Sequence, residues 1–319
     1  MHKTSINPAI TYLLSIESKG IKLGLERTKR IMGVCGNPHA KLPIIQVAGT
    51  NGKGSICAML ANIFMSANYK TGLFTSPHLV NVNERIRING QPISNDKINH
   101  FVEKYKNDIE KIEATFFETI TTLACWYFNK HNVDIAIMET GLGGRFDSVT
   151  ICNPIATVFT PISIDHTEIL GKSINEIAIE KAGIMKNNIP CYSSKQNILV
   201  KNTLKSAANK IGSKIYFLDK HNFHYKTNIL GEKQKENMNL AVTIIKNLKD
   251  YSINEDAIKI GLKNLKWPGR NQFIQKLPTI IFDVAHNSES IKAFINYYDT
   301  LCIKGNSRLI IALYFRKQI

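Results

Sequence analysis

The chain has 319 residues, 44% of them hydrophobic and 21% charged, which supports a large buried core and excludes a disordered chain. No apolar run approaches the roughly 18 residues needed to cross a bilayer, so no membrane partner is expected. The net charge of +16 is spread along the whole chain with no RNA-binding aromatic motif or zinc module, so it implies attraction of anionic substrates and no nucleic-acid partner.

Residues 1–40 read as polar helix, and the opening MHKTSINPAITYLLS has no basic segment leading into a long apolar run. A cytoplasmic location is therefore expected. Six cysteines, at 35, 57, 125, 152, 191 and 302, form no Cys-x-x-Cys pair and no zinc-finger spacing, which fits small buried hydrophobes in a reducing compartment. Pro43 to Ala48 predicts a strand running into a glycine loop, then a helix from Lys53 to Ala67. Lys70 to Thr75 predicts a second strand, and Glu84 to Ile93 a hairpin turning at Asn89-Gly90 in type I′ geometry. Ser94 suits the N-cap of a helix to Glu113, and Phe116 to Lys130 a second, largely buried helix.

Further strands are expected at Val133–Met138, Ile155–Thr160 and Ile189–Tyr192, short ones within 214–230, and another at Thr279–Asp283. Helices are expected at Ser173–Lys186, Gln234–Leu248, Asn254–Leu265 and Ser288–Tyr298, with Trp267-Pro268-Gly269-Arg270 as a linker. The apolar run inside Arg308–Phe315 suits a buried last strand. Strands alternating with helices predict an α/β fold whose mostly parallel sheet carries helices on both faces.

The strongest motif is Gly49-Thr50-Asn51-Gly52-Lys53-Gly54-Ser55, between a predicted strand and a helix. Glycines there let backbone N–H groups converge on phosphate oxygens at a helix N-terminus, Lys53 can neutralise terminal phosphates, and Ser55 can contact phosphate or its magnesium. The motif departs from the standard phosphate loop, because Gly54 separates Lys53 from Ser55 and Val47 replaces the first glycine. Ser76, Glu139 and His166 each follow a predicted strand, so a parallel sheet would bring them to the same edge. A hydroxyl, a carboxylate and an imidazole suit Mg²⁺ or Mn²⁺ better than zinc. Read alone, Ser76 also suits a turn, His166 a cap and Glu139 a buried ion pair.

TNGKGS followed by TSPHL resembles the Mur ligase superfamily, and with ETGLGGRFD, DHTEILG, EKAGI, WPGR and DVAHN in that order the chain is similar to its folylpolyglutamate synthase and dihydrofolate synthase branch. The resemblance covers nearly all of residues 20–290. It implies an ATP-binding central domain at 1–268 and a C-terminal ligase domain from 269, incomplete at 319, since forty residues follow Thr279. It implies an ATP-dependent ligase that joins L-glutamate to dihydropteroate or a tetrahydrofolate through an acyl phosphate, acting as a monomer with Mg²⁺. A truncated, non-catalytic nucleotide-binding remnant and a cell-wall-type ligase are the competing readings.

The resemblance also implies residue roles. Thr50, Asn51, Gly52, Lys53, Gly54, Ser55, Asn237, Arg270 and Asp283 would contact ATP, and Ser76, Glu139 and His166 the metal. Lys181 matches a lysine that becomes carbamylated, and His286 would face the reacting groups. Thr115, Phe116, Phe117 and Glu118, with Phe146, Asp147 and Ser148, would line the pterin site, where rings stack and Glu118 accepts N–H bonds. An aromatic core stripe remains an equal reading of Phe116 and Phe117. Two positions depart from the family pattern: Lys233 stands for its usual histidine and Val284 for glycine.

Overall fold

The structure is a computed structural model that describes residues 7–18, 20–218, 223–303 and 305–312. Two short helices, α1 (Pro8–Glu17) and α2 (Glu26–Val34), precede β1 (Ile44–Ala48), and α3 (Lys53–Ser66) follows the glycine loop. Next come β2 (Thr71–Phe74), β3 (Ile86–Ile88), β4 (Gln91–Pro92), α4 (Asn95–Ile112), α5 (Phe116–Lys130), β5 (Ile135–Glu139) and β6 (Pro154–Phe159). After them run α6 (Thr167–Leu170), α7 (Ile174–Ala182), β7 (Cys191–Ser193), α8 (Ile198–Ile211) and β8 (Ile215–Phe217). The chain continues through α9 (Glu232–Asn247), α10 (Glu255–Lys263), β9 (Gln272–Lys276), β10 (Thr279–Phe282) and α11 (Ser288–Thr300).

Strands β1 to β8 form one sheet in the order β4-β3-β2-β5-β1-β6-β7-β8. The pairings from β2 to β8 are parallel, and β3 and β4 form an antiparallel edge. All five residues of β1, IIQVA, are buried, as expected of a central parallel strand covered on both faces. Alternation along β1 sends Ile44 to a core with α1, α2, α4 and α5, and Ile45 and Val47 to a core with α3, α9 and α10. A third core packs α7 and α8 against Phe159. The hairpin turns at Asn89 (φ 47°) and Gly90 (φ 76°), both positive as a type I′ turn requires. Ser94 caps α4 by accepting from the Lys97 N–H.

Several expectations change. Residues 198–211 form α8, a helix the motif reading passed over. Its apolar positions Val200, Leu204 and Ala208 recur every four residues, a spacing the surrounding lysines and asparagines disguise. Within 214–230 only β8 forms among the described residues; 219–222 lie outside them. The segment after WPGR enters β9, which pairs antiparallel with β10. The described part of the expected last strand, 308–312, forms no strand, and Ile310 is 92% exposed; residues 313–315 lie outside the described residues. Apolar residues become strand only when a neighbouring edge accepts their backbone hydrogen bonds, and among the described residues the hairpin sheet stops at two strands.

Candidate functional site

The glycine loop joins β1 to α3, and its two positive-φ glycines have steric reasons. A Cβ on Gly49 (φ 142°) would stand 1.9 Å from Thr160 Oγ1, and one on Gly52 (φ 90°) 2.9 Å from Asn237 Oδ1. Lys53 Nζ folds back over the loop, donating to the Gly49 and Thr50 carbonyls at 3.3 and 3.2 Å. The Thr50 hydroxyl donates to the Ser163 carbonyl and accepts from its N–H, fastening the loop to the segment after β6. Ser55 Oγ is buried without a hydrogen-bond partner among the described residues. The hydroxyls of Tyr12, Thr119, Thr121 and Thr157 are in the same state, but Ser55 stands in the first turn of α3 beside the glycine loop, where an oxygen-rich ligand or a hydrated cation would meet it.

Glu139 closes β5 and is 3% exposed. Its Oε2 accepts from the Ser76 N–H at 3.0 Å and lies within 3.5 Å of a Cβ built on Gly54, at the start of α3. Burial raises its pKa, while Lys53, the Ser76 N–H and Arg270 pull it down. His166 is the N-cap residue of α6, in the left-handed region (φ 49°), with its ring 3.8 Å from the Asp165 carboxylate. Among the described residues no group of three or more His, Cys, Asp or Glu is gathered as a metal site. Mg²⁺ does not require one, because it is usually held by one or two carboxylates together with substrate phosphates and water.

Lys181, in the last turn of α7, is 4% exposed, and its amine donates to the Gly49 carbonyl at 2.8 Å. Burial and the nearby Lys53 bring its pKa down to about 7, against partial support from Asp165 and Asp147. α7 reaches the loop because Gly144 and Gly183 let two backbones touch: a Cβ on Gly144 would sit 2.5 Å from the Lys181 carbonyl, and one on Gly183 2.4 Å from Arg145 Cα. Asp147 holds the intervening turn, accepting from the Gly141, Leu142 and Val149 N–H groups, and burial raises its pKa to about 6.

Asn237 on α9 is buried beneath Gly52, and its amide donates to Gln234 Oε1 at 3.1 Å. Arg270 follows α10, with Asp283 and Glu139 acting on its charge. Asp283 accepts from the Asn271 and Ala285 N–H groups at 2.7 and 2.8 Å. From the start of α11, Asn287 and Glu289 reach the loop, where the Asn51 amide donates to Asn287 Oδ1 (3.3 Å) and Glu289 Oε2 (3.1 Å). A cleft of about 140 Å³ opens between these parts, with Gly54, Ser76, Glu139, Arg270 and His286 in its lining. The exposed His286 ring keeps Nδ1 3.0 Å from the Val284 carbonyl.

The pterin-side residues are placed differently. Thr115 and Glu118 form the capping box of α5, a feature that contributes about 1 kcal/mol to a helix. Glu118 Oε2 accepts from the Thr115 N–H at 2.7 Å and from Arg27 Nε at 3.1 Å, while Oε1 is buried 3.1 Å from Arg27 Nη2 as an ion pair, without a hydrogen bond among the described residues. Phe116 is buried under the Arg85 guanidinium, 5.0 Å from the ring centre. Phe117 fills the space over Gly141, whose Cβ would clash with it at 2.5 Å. Phe146 is 44% exposed, and the Ser148 hydroxyl accepts from Thr28 Oγ1 at 3.1 Å.

Around the glycine loop, then, stand Lys53, Ser55, Glu139, Lys181 and Asn237, while Thr115 and Glu118 belong to a separate cluster with Arg27. Sequence reasoning missed Arg27, Arg85, Arg87 and Trp267. Arg27 ends the basic segment 19–27, Arg85 immediately precedes β3 and Arg87 lies within it, so the signal was present without a partner to interpret it.

Residues 47–254 match the family model described as the Mur ligase middle domain. The dihydrofolate synthase/folylpolyglutamate synthase of Bacillus subtilis is 35% identical over 306 residues, covering 86% of this chain and 71% of the relative. Its counterpart in Escherichia coli is 31% identical over 327 residues, covering 97% and 76%. An FPGS–AMPPCP–folate complex superposes with a TM-score of 0.84 at 28% identity, covering 92% of this chain and 81% of that one. The shared motifs, the parallel sheet and the loop geometry agree with these likenesses, and the chain belongs to the folylpolyglutamate synthase/dihydrofolate synthase family of ATP-dependent Mur ligases.

Proposed function

We propose that this chain joins L-glutamate to the carboxylate of dihydropteroate or a tetrahydrofolate at the expense of ATP. The observation that carries the reading is the convergence of Lys53, Lys181 and Glu139 on one glycine loop, with Lys181 bonded directly to the Gly49 carbonyl. The loop N–H groups and the N-terminus of α3 bind the ATP phosphates, with Asn237, Arg270 and Asp283 completing the nucleotide contacts. Lys53 leaves its resting bonds to the loop carbonyls and meets the transferring phosphate. The substrate carboxylate attacks the γ-phosphorus and ADP leaves; the glutamate amine then attacks the acyl phosphate carbon and phosphate departs. Charge on the transferring phosphoryl group is spread by Lys53 and Arg270.

Ser76, Glu139 and His166, with the orphaned Ser55 hydroxyl, would hold Mg²⁺ or Mn²⁺, which supplies charge neutralisation at the phosphates. Lys181, with its pKa near 7, supplies the neutral amine that carbamylation needs. The pterin lies toward Phe117, Phe146 and Asp147. Residues 1–268 form the nucleotide-binding unit and 269–319 belong to the ligase domain. A monomeric cytoplasmic protein fits the six unpaired cysteines, four of them buried.

The test is phosphate release by the purified chain with ATP and Mg²⁺. Release should require both a pterin carboxylate, dihydropteroate or tetrahydrofolate, and L-glutamate. Equal release without any pterin would overturn the reading.

A further inference from the structure

Beside the glycine loop, the 140 Å³ cleft has an apolar wall of Pro77, Leu79 and Trp267, two guanidinium groups, Arg87 and Arg270, and two carboxylates, Glu84 and Glu139. Its carboxylates are already engaged with backbone. Glu84 accepts from the N–H groups of Leu79, Val80 and Asn81 at 2.9, 3.2 and 2.8 Å, and Glu139 accepts from Ser76. The guanidinium of Arg87 is not so engaged. Among the described residues its one hydrogen bond runs from Nε to the Glu84 carbonyl at 3.0 Å, leaving both terminal nitrogens for the cleft. Trp267 lies beneath it, with the ring centre 5.8 Å from the guanidinium carbon, so the cation is oriented as well as half-buried.

A guanidinium held this way matches a planar carboxylate with two parallel N–H bonds. The adjoining apolar wall suits a few methylenes. The volume is well below the roughly 300–1,000 Å³ of sites for drug-sized ligands, so the cleft suits a molecule of amino-acid size and not a bicyclic ring with its benzoyl arm. We propose that Arg87 is a specificity-determining residue that binds a carboxylate of the incoming amino acid in this cleft. The proposal rests on the ligase reading and names which side chain of the sheet edge selects the amine substrate. Arg87 comes from β3, on the main sheet, so the selecting group is fixed independently of the hairpin and α11.

The experiment is calorimetric titration of L-glutamate, L-glutamine and pteroate into the full chain holding AMPPCP, for wild type, Arg87→Gln and Arg87→Lys. Removing a charged hydrogen-bond partner should weaken glutamate by roughly 10- to 100-fold in Arg87→Gln. Arg87→Lys should be intermediate, because it keeps the charge and loses the fork. The preference for glutamate over glutamine should shrink, while affinities for AMPPCP and pteroate stay within about twofold. A merely structural role would move all ligands together and would overturn the proposal. So would wild-type glutamate affinity in Arg87→Gln, a selective loss of pteroate, or no glutamate binding by wild type. The ligase reading is judged separately, by whether wild type with ATP and dihydropteroate yields a hydroxamate when hydroxylamine replaces glutamate.

Discussion

Strand β5 reads Ile-Ala-Ile-Met-Glu and strand β10 Thr-Ile-Ile-Phe; every residue of the first is buried and none of the second is. Similar apolar composition thus has opposite outcomes in two regions of one chain. β5 lies between β2 and β1 with helices on both faces, whereas β10 among the described residues pairs with β9 alone, and the helix that follows it, α11, has no buried residue. The first region is held by apolar burial, worth roughly 25 cal/mol per Å². The second is held to the glycine loop by polar contacts such as Asn51 to Asn287, each worth about 1 kcal/mol. Chemistry seated on the sheet should therefore be robust, and groups on the hairpin and α11 should be adjustable.

The largest effect tests the sheet side. Lys53→Ala should lower turnover by on the order of 10²–10³, because an oriented charge on the transferring phosphate is among the largest catalytic contributions. The melting temperature should hardly change, since the amine now bonds only to two loop carbonyls. A loss of only a few-fold in steady-state kinetics would remove Lys53 from the chemistry.

The contrast itself is tested by a matched pair. Ile137→Ala, in β5 with no exposed surface, should cost about 2–5 kcal/mol by the transfer and cavity contributions. Ile280→Ala, in β10 and 45% exposed, should cost within about 0.5 kcal/mol. Denaturant unfolding measures both, and similar losses would show that the hairpin shares the main core. Hydrogen exchange gives the same comparison amide by amide, with β9 and β10 exchanging long before β1, β5 and β6.

What was legible in the sequence follows the same division. β1, α3 and the glycine loop are locally determined: IIQVA, two steric glycines and the start of a helix occupy adjacent positions, and the reading found them. The Asn89-Gly90 hairpin was equally plain, because the turn type demands those residues. α8 was not, since its four-residue apolar spacing is carried by an alanine, a leucine and a valine among lysines and asparagines. The last expected strand failed because a strand is a property of a pair, and 308–312 has no described partner. In the site, the placement of Lys53 and Glu139 beside one loop was legible, as one opens the helix after β1 and the other ends β5. Arg87 was not, as its meaning depends on Trp267, 180 residues away in sequence. The engagement of Glu118 by Arg27 was equally hidden, the two being 91 positions apart.

Lys181 sharpens the comparison, because there function and stability oppose each other. An unmodified lysine whose folded pKa is about 7 and whose unfolded value is near 10.5 binds fewer protons folded than unfolded between those values. Stability associated with it is therefore present above about pH 10.5 and is lost progressively as pH falls towards 7. The shift corresponds to roughly 5 kcal/mol as an upper bound, offset by the bond to the Gly49 carbonyl. Lys181→Met should raise stability near pH 7 by about 1–3 kcal/mol, with less gain at pH 10, while ligase activity is lost. A fall in melting temperature at pH 7 would show that the amine's hydrogen bond outweighs its burial.

The smallest effect belongs to the bridge between the regions. Asn287 donates to Asn51 Oδ1 at 2.9 Å, accepts from the Asn51 amide at 3.3 Å, and caps α11 by accepting from the Ser290 N–H at 3.0 Å. Asn287→Ala removes the bridge and the cap together, each worth about 1 kcal/mol. Because α11 buries none of its residues, the loss should not reach the main cooperative transition, and the melting temperature should stay within about a degree. What changes is the order of Asn51 inside the phosphate loop, so AMPPCP affinity measured by calorimetry should weaken by roughly fivefold. Asn287→Ser separates the two roles: serine caps a helix as well as asparagine does but is too short to reach Asn51. If the bridge is what orders the loop, serine should bind AMPPCP as weakly as alanine. Wild-type affinity in Asn287→Ser would assign the effect to the cap, and the polar link between the two regions would then carry no part in nucleotide binding.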